Sequence, residues 1–157
     1  MPPTKFVMLG FAAILTLGTV AVLADDLPAI VVDPAIASMT VDQKVEARQA
    51  EMKADGGLLR GARDLTGEEA VKTATAVLQN FTNFPALFAD GATNDKSKAL
   101  PIIWTEFDKF TAIFDEGKLV ATKMREAAAS GDAGLYADSL QAMGQVCSEC
   151  HETYRGR

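Results

Sequence analysis

Residues 132–154 read Asp-Ala-Gly-Leu-Tyr-Ala-Asp-Ser-Leu-Gln-Ala-Met-Gly-Gln-Val-Cys-Ser-Glu-Cys-His-Glu-Thr-Tyr. Tyr136, Leu140, Met143, Cys147, Cys150 and Tyr154 recur in this stretch at steps of three and four. That spacing puts them on one face of a helix, and no two-residue alternation competes with it. Ser130-Gly131, just upstream, stops whatever precedes.

Working outward, three more helices are predicted. One begins near Pro101, a favoured residue for a first turn, and carries Ile103, Phe107, Phe110, Phe114, Val120 and Met124 at helical period. One begins at Thr66 with a capping box to Glu69, carries Ala70, Ala74, Val77, Phe81 and Phe84, and has Pro85 at its end. One begins at Thr40 with a capping box to Gln43, repeats Val45, Met52 and Leu59 at heptad spacing, and ends near Arg63. Gly56-Gly57 weakens it by roughly 1 kcal/mol per glycine. Residues 85–100, with Gly91, Asn94 and Asp95, form the longest loop. No strand or hairpin signal appears. The expected fold is all-α, an antiparallel up-down-up-down four-helix bundle over residues 40–157.

The chain has 157 residues, 48% of them apolar, enough for one domain with a core and too apolar for intrinsic disorder. Its formal charge of −6 lacks the basic footprint that nucleic acid requires. A negative surface suits a soluble acidic protein and a basic charged partner. Lys5, the apolar run from Phe6 to Val22, and small residues up to Ala24 form a secretory signal over residues 1–24. The run is also just long enough for an uncleaved anchor, but one lysine and a small-residue boundary fit cleavage better. Residues 25–39 contain Pro28 and Pro34, show no helical pattern and read as a tether.

Both cysteines and the single histidine of the chain fall in Cys147-Ser148-Glu149-Cys150-His151. Cys-x-x-Cys-His is the attachment signature of haem c. On a helix the three side chains share a face, so two thiols can meet the vinyl groups on one porphyrin edge while His151 reaches the iron from the same side. A structural zinc site needs more ligands than one such cluster supplies. A thioredoxin-like pair belongs at a helix N-terminus after a strand. A disulfide at three-residue helical spacing is strained. One haem c per chain is therefore expected, on the last helix.

The sequence resembles the cytochrome c prime family, including its cytochrome c-556 type. The resemblance rests on residues 147–155, on Ala99-Leu100-Pro101-Ile102-Ile103-Trp104 and on Arg48-Gln49-Ala50-Glu51-Met52-Lys53. It covers essentially the whole chain after the signal. It implies a four-helix bundle with haem near one end, often as a homodimer. By position it implies that Arg48 contacts a haem propionate, with Gln49 beside it. Met52 then covers the haem face opposite His151, and Arg155 lies near the proximal face.

The sixth iron position decides the function. With one histidine, bis-histidine ligation within a chain is excluded. Met143 shares a helix with His151, and Met124 reads as core. Met52 is the best candidate. If its sulfur ligates iron, the protein is a low-spin periplasmic electron carrier whose redox partner the sequence does not name. If Met52 only packs there, the haem is five-coordinate and binds nitric oxide or carbon monoxide. The Met52-Lys53-x-x-Gly56 context resembles the low-spin type, although five-coordinate members also carry methionine here. Trp104, Phe107 and Phe110 are further candidates to line the haem, although aromatic residues at helical spacing are more often ordinary core. The acidic residues read as solvated surface. Without a second histidine or an acid–base pair, a haem enzyme is not expected.

Overall fold

A computed structural model describes residues 27–157; the expected signal at 1–24 lies outside the described residues. The helices are α1 (Val41–Gly61), α2 (Gly67–Phe88), the short α3 (Ile102–Thr105), α4 (Phe107–Ser130) and α5 (Ala133–Tyr154). The four long ones form an all-helical bundle. α1 packs on α2, α2 on α4, and α4 on α5.

The capping box at Thr40 forms as expected. The Gln43 amide donates to Thr40 Oγ1 (3.3 Å), and the Thr40 amide donates to Gln43 Oε1 (2.8 Å). α5 starts on Asp132, whose Oδ1 accepts from the Leu135 amide at 2.9 Å. Gly131 stops α4 in the left-handed region (φ 75°), where the Asp132 amide reaches the Ala127 carbonyl at 2.9 Å.

Three local expectations are corrected. Thr66 makes no side-chain cap, because Gly67 enters α2 at φ 56° and turns the first amides away from it. Pro85 does not end α2. Phe84, Leu87 and Phe88 around it are buried, at roughly 1.5–3 kcal/mol each. That outweighs the roughly 3 kcal/mol an internal proline costs. The third predicted helix breaks at Glu106 (φ −126°, ψ 39°), separating α3 from α4. The break lets Trp104 Nε1 donate to the Phe88 carbonyl (2.8 Å) at the open end of α2.

The segment read as a tether is laid against the bundle. Pro34–Ser38 forms a 3-10 turn with Ile36 buried in the core. Arg125 Nη1 donates to the Pro28 carbonyl (3.0 Å), Gln79 Nε2 to the Val31 carbonyl (2.8 Å), and the Asp33 amide to Asn83 Oδ1 (3.0 Å).

The core is an aromatic stack between α2, α4 and α5. Phe88 and Phe110 lie 4.8 Å apart, Phe110 and Phe114 4.9 Å, Phe84 and Phe114 5.3 Å, and Phe110 and Tyr154 5.1 Å. α1 contributes little to it: its buried residues are Val45, Arg48 and Asp55. The inner face of α1 looks instead across a gap toward α5.

Candidate haem site between α1 and α5

The gap is a slot with two lobes. The outer lobe, about 340 Å³, lies between Arg48, Gln49, Met52 and Lys53 of α1 and Cys150, His151, Tyr154 and Arg155 at the end of α5. Ser97–Ala99, Phe88, Ile103 and Phe110 complete its wall. The inner lobe, about 140 Å³, is lined by Phe81, Phe84, Phe114, Val146, Cys147 and Asp55, among others. Met52, Cys150 and His151 border both.

All seven residues singled out from the sequence as site residues therefore reach one slot: Arg48, Gln49, Met52, Cys147, Cys150, His151 and Arg155. Phe110 lines it as well. Trp104 caps α2 instead, and Phe107 packs on Phe110 at 6.1 Å.

Both cysteines are half-buried free thiols. Burial pushes the Cys150 thiol up to about 12, helped by Cys147 and Glu149. Burial and then Asp55 raise Cys147. Neither is an activated thiolate, which argues against a redox-active pair. Burial, and then the nearby Arg155 charge, lower the His151 pKa, so its imidazole stays neutral and keeps a lone pair free. Among the described residues, no three His, Cys, Asp or Glu side chains are placed to hold a bare metal ion.

Arg48 is the polar anchor of the outer lobe. It is 2% exposed. Its Nη1 donates to the Leu87 and Ala92 carbonyls (3.0 and 2.6 Å), and its Nη2 to Ser97 Oγ (2.9 Å). The guanidinium also lies 4.1 Å over the Phe88 ring. Burial lowers its pKa to about 10. No carboxylate pairs with it among the described residues. Gln49 Nε2 donates to the Lys96 carbonyl at 3.0 Å. The loop these two residues hold is also tied to the chain end: the Leu100 amide donates to the Tyr154 carbonyl (2.9 Å) and the Gly156 amide to the Lys98 carbonyl (2.7 Å).

Two parts of the site escape sequence reasoning. The wall at residues 97–99 carries no periodic signal. Asp55 overturns the view that the acidic residues are solvated: it is 4% exposed. Its Oδ1 accepts from Asn80 Nδ2 at 2.7 Å, and its Oδ2 has no partner. Two unactivated thiols and a neutral imidazole beside an apolar slot, with a buried cation lacking its anion, fit a haem c with its propionates. The fold and site thus define a c-type haem protein built on a four-helix bundle.

The family model for cytochrome c' matches residues 42–155. Cytochrome c' of Pararhodospirillum photometricum is 32% identical over 114 residues, covering 72% of this chain and 90% of that protein. Cytochrome c-556 of Agrobacterium tumefaciens is 30% identical over 119 residues, covering 71% and 96%. Among solved structures, cytochrome c' of Thermochromatium tepidum has a TM-score of 0.69 at 19% identity, over 76% of this chain and 99% of that one. A nitric oxide complex of a variant cytochrome c prime from Alcaligenes xylosoxidans has a TM-score of 0.65 at 18% identity, over 75% and 98%. The chain belongs to the cytochrome c' family. It carries one covalent haem c, in a family of electron-transfer and gas-binding haem proteins rather than enzymes. Homologues in this family are typically periplasmic. No helix among the described residues is long and apolar enough to cross a membrane.

Proposed function

We propose that this chain is a periplasmic one-electron carrier. In this reading the thiols of Cys147 and Cys150 would hold haem c, and His151 from α5 and Met52 from α1 would bind its iron. The observation that carries it is that Met52 and His151 border the same two lobes from facing helices. Met124 and Met143 are fully enclosed in the core and line neither lobe. Bound there, haem c supplies a reversible one-electron couple. His151 and Met52 would set its potential, a His/Met pair favouring the reduced state relative to stronger donors. Arg48 would meet a propionate with Gln49 beside it, and Arg155 would lie on the His151 side. Residues 1–24 are taken as the export signal, 25–39 as the N-terminal segment and 40–157 as the haem-carrying bundle.

Optical spectra of the oxidised and reduced protein test this. The wild type is expected to be low-spin and unreactive with carbon monoxide, and Met52→Ala to become high-spin and reactive. A wild type already high-spin and reactive would overturn methionine ligation.

That outcome would favour a second reading, a five-coordinate haem that binds nitric oxide or carbon monoxide. The apolar inner lobe beside Met52 supports it, as does the nitric oxide complex of the Alcaligenes protein. A homodimer accords with both readings. One similar structure, of a cytochrome c' at 23% identity and a TM-score of 0.65, is described by its ligand-controlled dimer dissociation. Sedimentation velocity with and without carbon monoxide reports whether this chain behaves alike.

A further inference from the structure

The wall of the outer lobe carries four permanent cations, Arg48, Lys53, Lys98 and Arg155, and no carboxylate. This is the reverse of the chain as a whole, which is formally −6. Haem c brings two propionates, so the four cations leave the mouth positive after both are neutralised. Lys53, Lys98 and Arg155 are exposed, and none has an ion-pair partner among the described residues. Two of the nearby acids are engaged elsewhere. Glu46 pairs with Lys96 at 3.5 Å, and Glu51 turns inward to accept from Asn83 Nδ2. Asp55 is buried; Glu149 and Glu152 are exposed and unpaired among the described residues, but they line a separate hollow along α5 and not the mouth itself.

We propose that this basic mouth is the docking surface for an electron-transfer protein whose own redox centre is rimmed by carboxylates. The proposal rests on the electron-carrier reading above. Charge falls off over about 10 Å at ordinary salt. A partner seated at the mouth therefore feels these cations more than the distant acidic surface. The net charge alone would call for a basic partner; the mouth calls for an acidic one.

Stopped-flow oxidation of the reduced holoprotein tests this, using ferricyanide as the anionic probe and a tris-phenanthroline cobalt(III) complex as the cationic one. The ferricyanide rate is expected to fall as ionic strength rises and the cobalt rate to climb. Lys53→Glu and Lys98→Glu should each cut the ferricyanide rate at low salt by about tenfold. Lys123→Glu, the same charge change on the exposed face of α4, should have far less effect. Opposite salt slopes, or equal effects of all three variants, would overturn the proposal while leaving the electron-carrier reading intact. If neither probe exchanges electrons at any ionic strength, both fall. Co-sedimentation with phosphatidylglycerol vesicles at low salt would also overturn it, since the mouth would then serve a membrane surface.

Discussion

Asp55 shows what a buried charge costs when its environment is only half-built. Its carboxyl is pushed up to about 7 from the ordinary 3.8, by burial first and by Glu51 next, against the Asn80 hydrogen bond. The folded chain thus holds this proton more tightly than the unfolded chain does. The stabilisation is complete below about pH 3.8 and is lost once the pH passes about 7. About three pKa units at 1.36 kcal/mol each make that loss roughly 4 kcal/mol. Glu51, also raised by burial, acts in the same sense. Thermal melts of the holoprotein at pH 4.5, 6 and 8 should show Asp55→Asn gaining on the wild type as pH rises, with a shallower pH slope. Parallel slopes for the two proteins would refute the assignment.

Among the elements, the contact of α2 with α4 is the tightest test of packing. A Cβ added at Gly117 would overlap the Phe81 ring. That ring packs on Phe84 at 5.5 Å and Phe114 at 6.1 Å and also lines the inner lobe. Overpacking of this kind costs about 1–3 kcal/mol. Alanine's better helix propensity returns at most about 1 of it. Gly117→Ala should lower the calorimetric midpoint by several degrees; a midpoint unchanged or raised would show that Phe81 moves freely. The elements also show what a sequence can and cannot reveal. The cap at Thr40 and the course of α5 were legible because their determinants lie within four residues. The Thr66 cap failed on one backbone angle at Gly67. α2 ran through Pro85 because of partners on other helices. The thiols and the histidine were legible as a site because a motif at helical spacing names them, whereas Met52 was singled out only through the family resemblance. Asp55, the 97–99 wall and the strap around Ile36 were not, since their burial depends on what faces them across the bundle.

At the scale of the molecule, the haem slot is the fourth side of the bundle. Three helix pairs pack on one another, while α1 presents Arg48, Met52 and Asp55 toward space. Haem seated in the slot would bury the apolar wall of the inner lobe and join α1 to α5. Haem contacts and helices should therefore be lost together. The hydrogen bond from Trp104 to Phe88 gives that cooperativity an optical voice. Trp104 is the chain's single tryptophan, and the carbonyl it holds belongs to a residue of the slot wall. Haem absorbs where indole emits, so the folded holoprotein should be nearly dark. Chemical unfolding should light it as residue 104 parts from the haem on α5. If the emission rises along the same denaturant curve as helical circular dichroism falls, slot and bundle are one cooperative unit. If it rises earlier, the α3 corner opens first, and the fluorescence becomes a private signal of the slot.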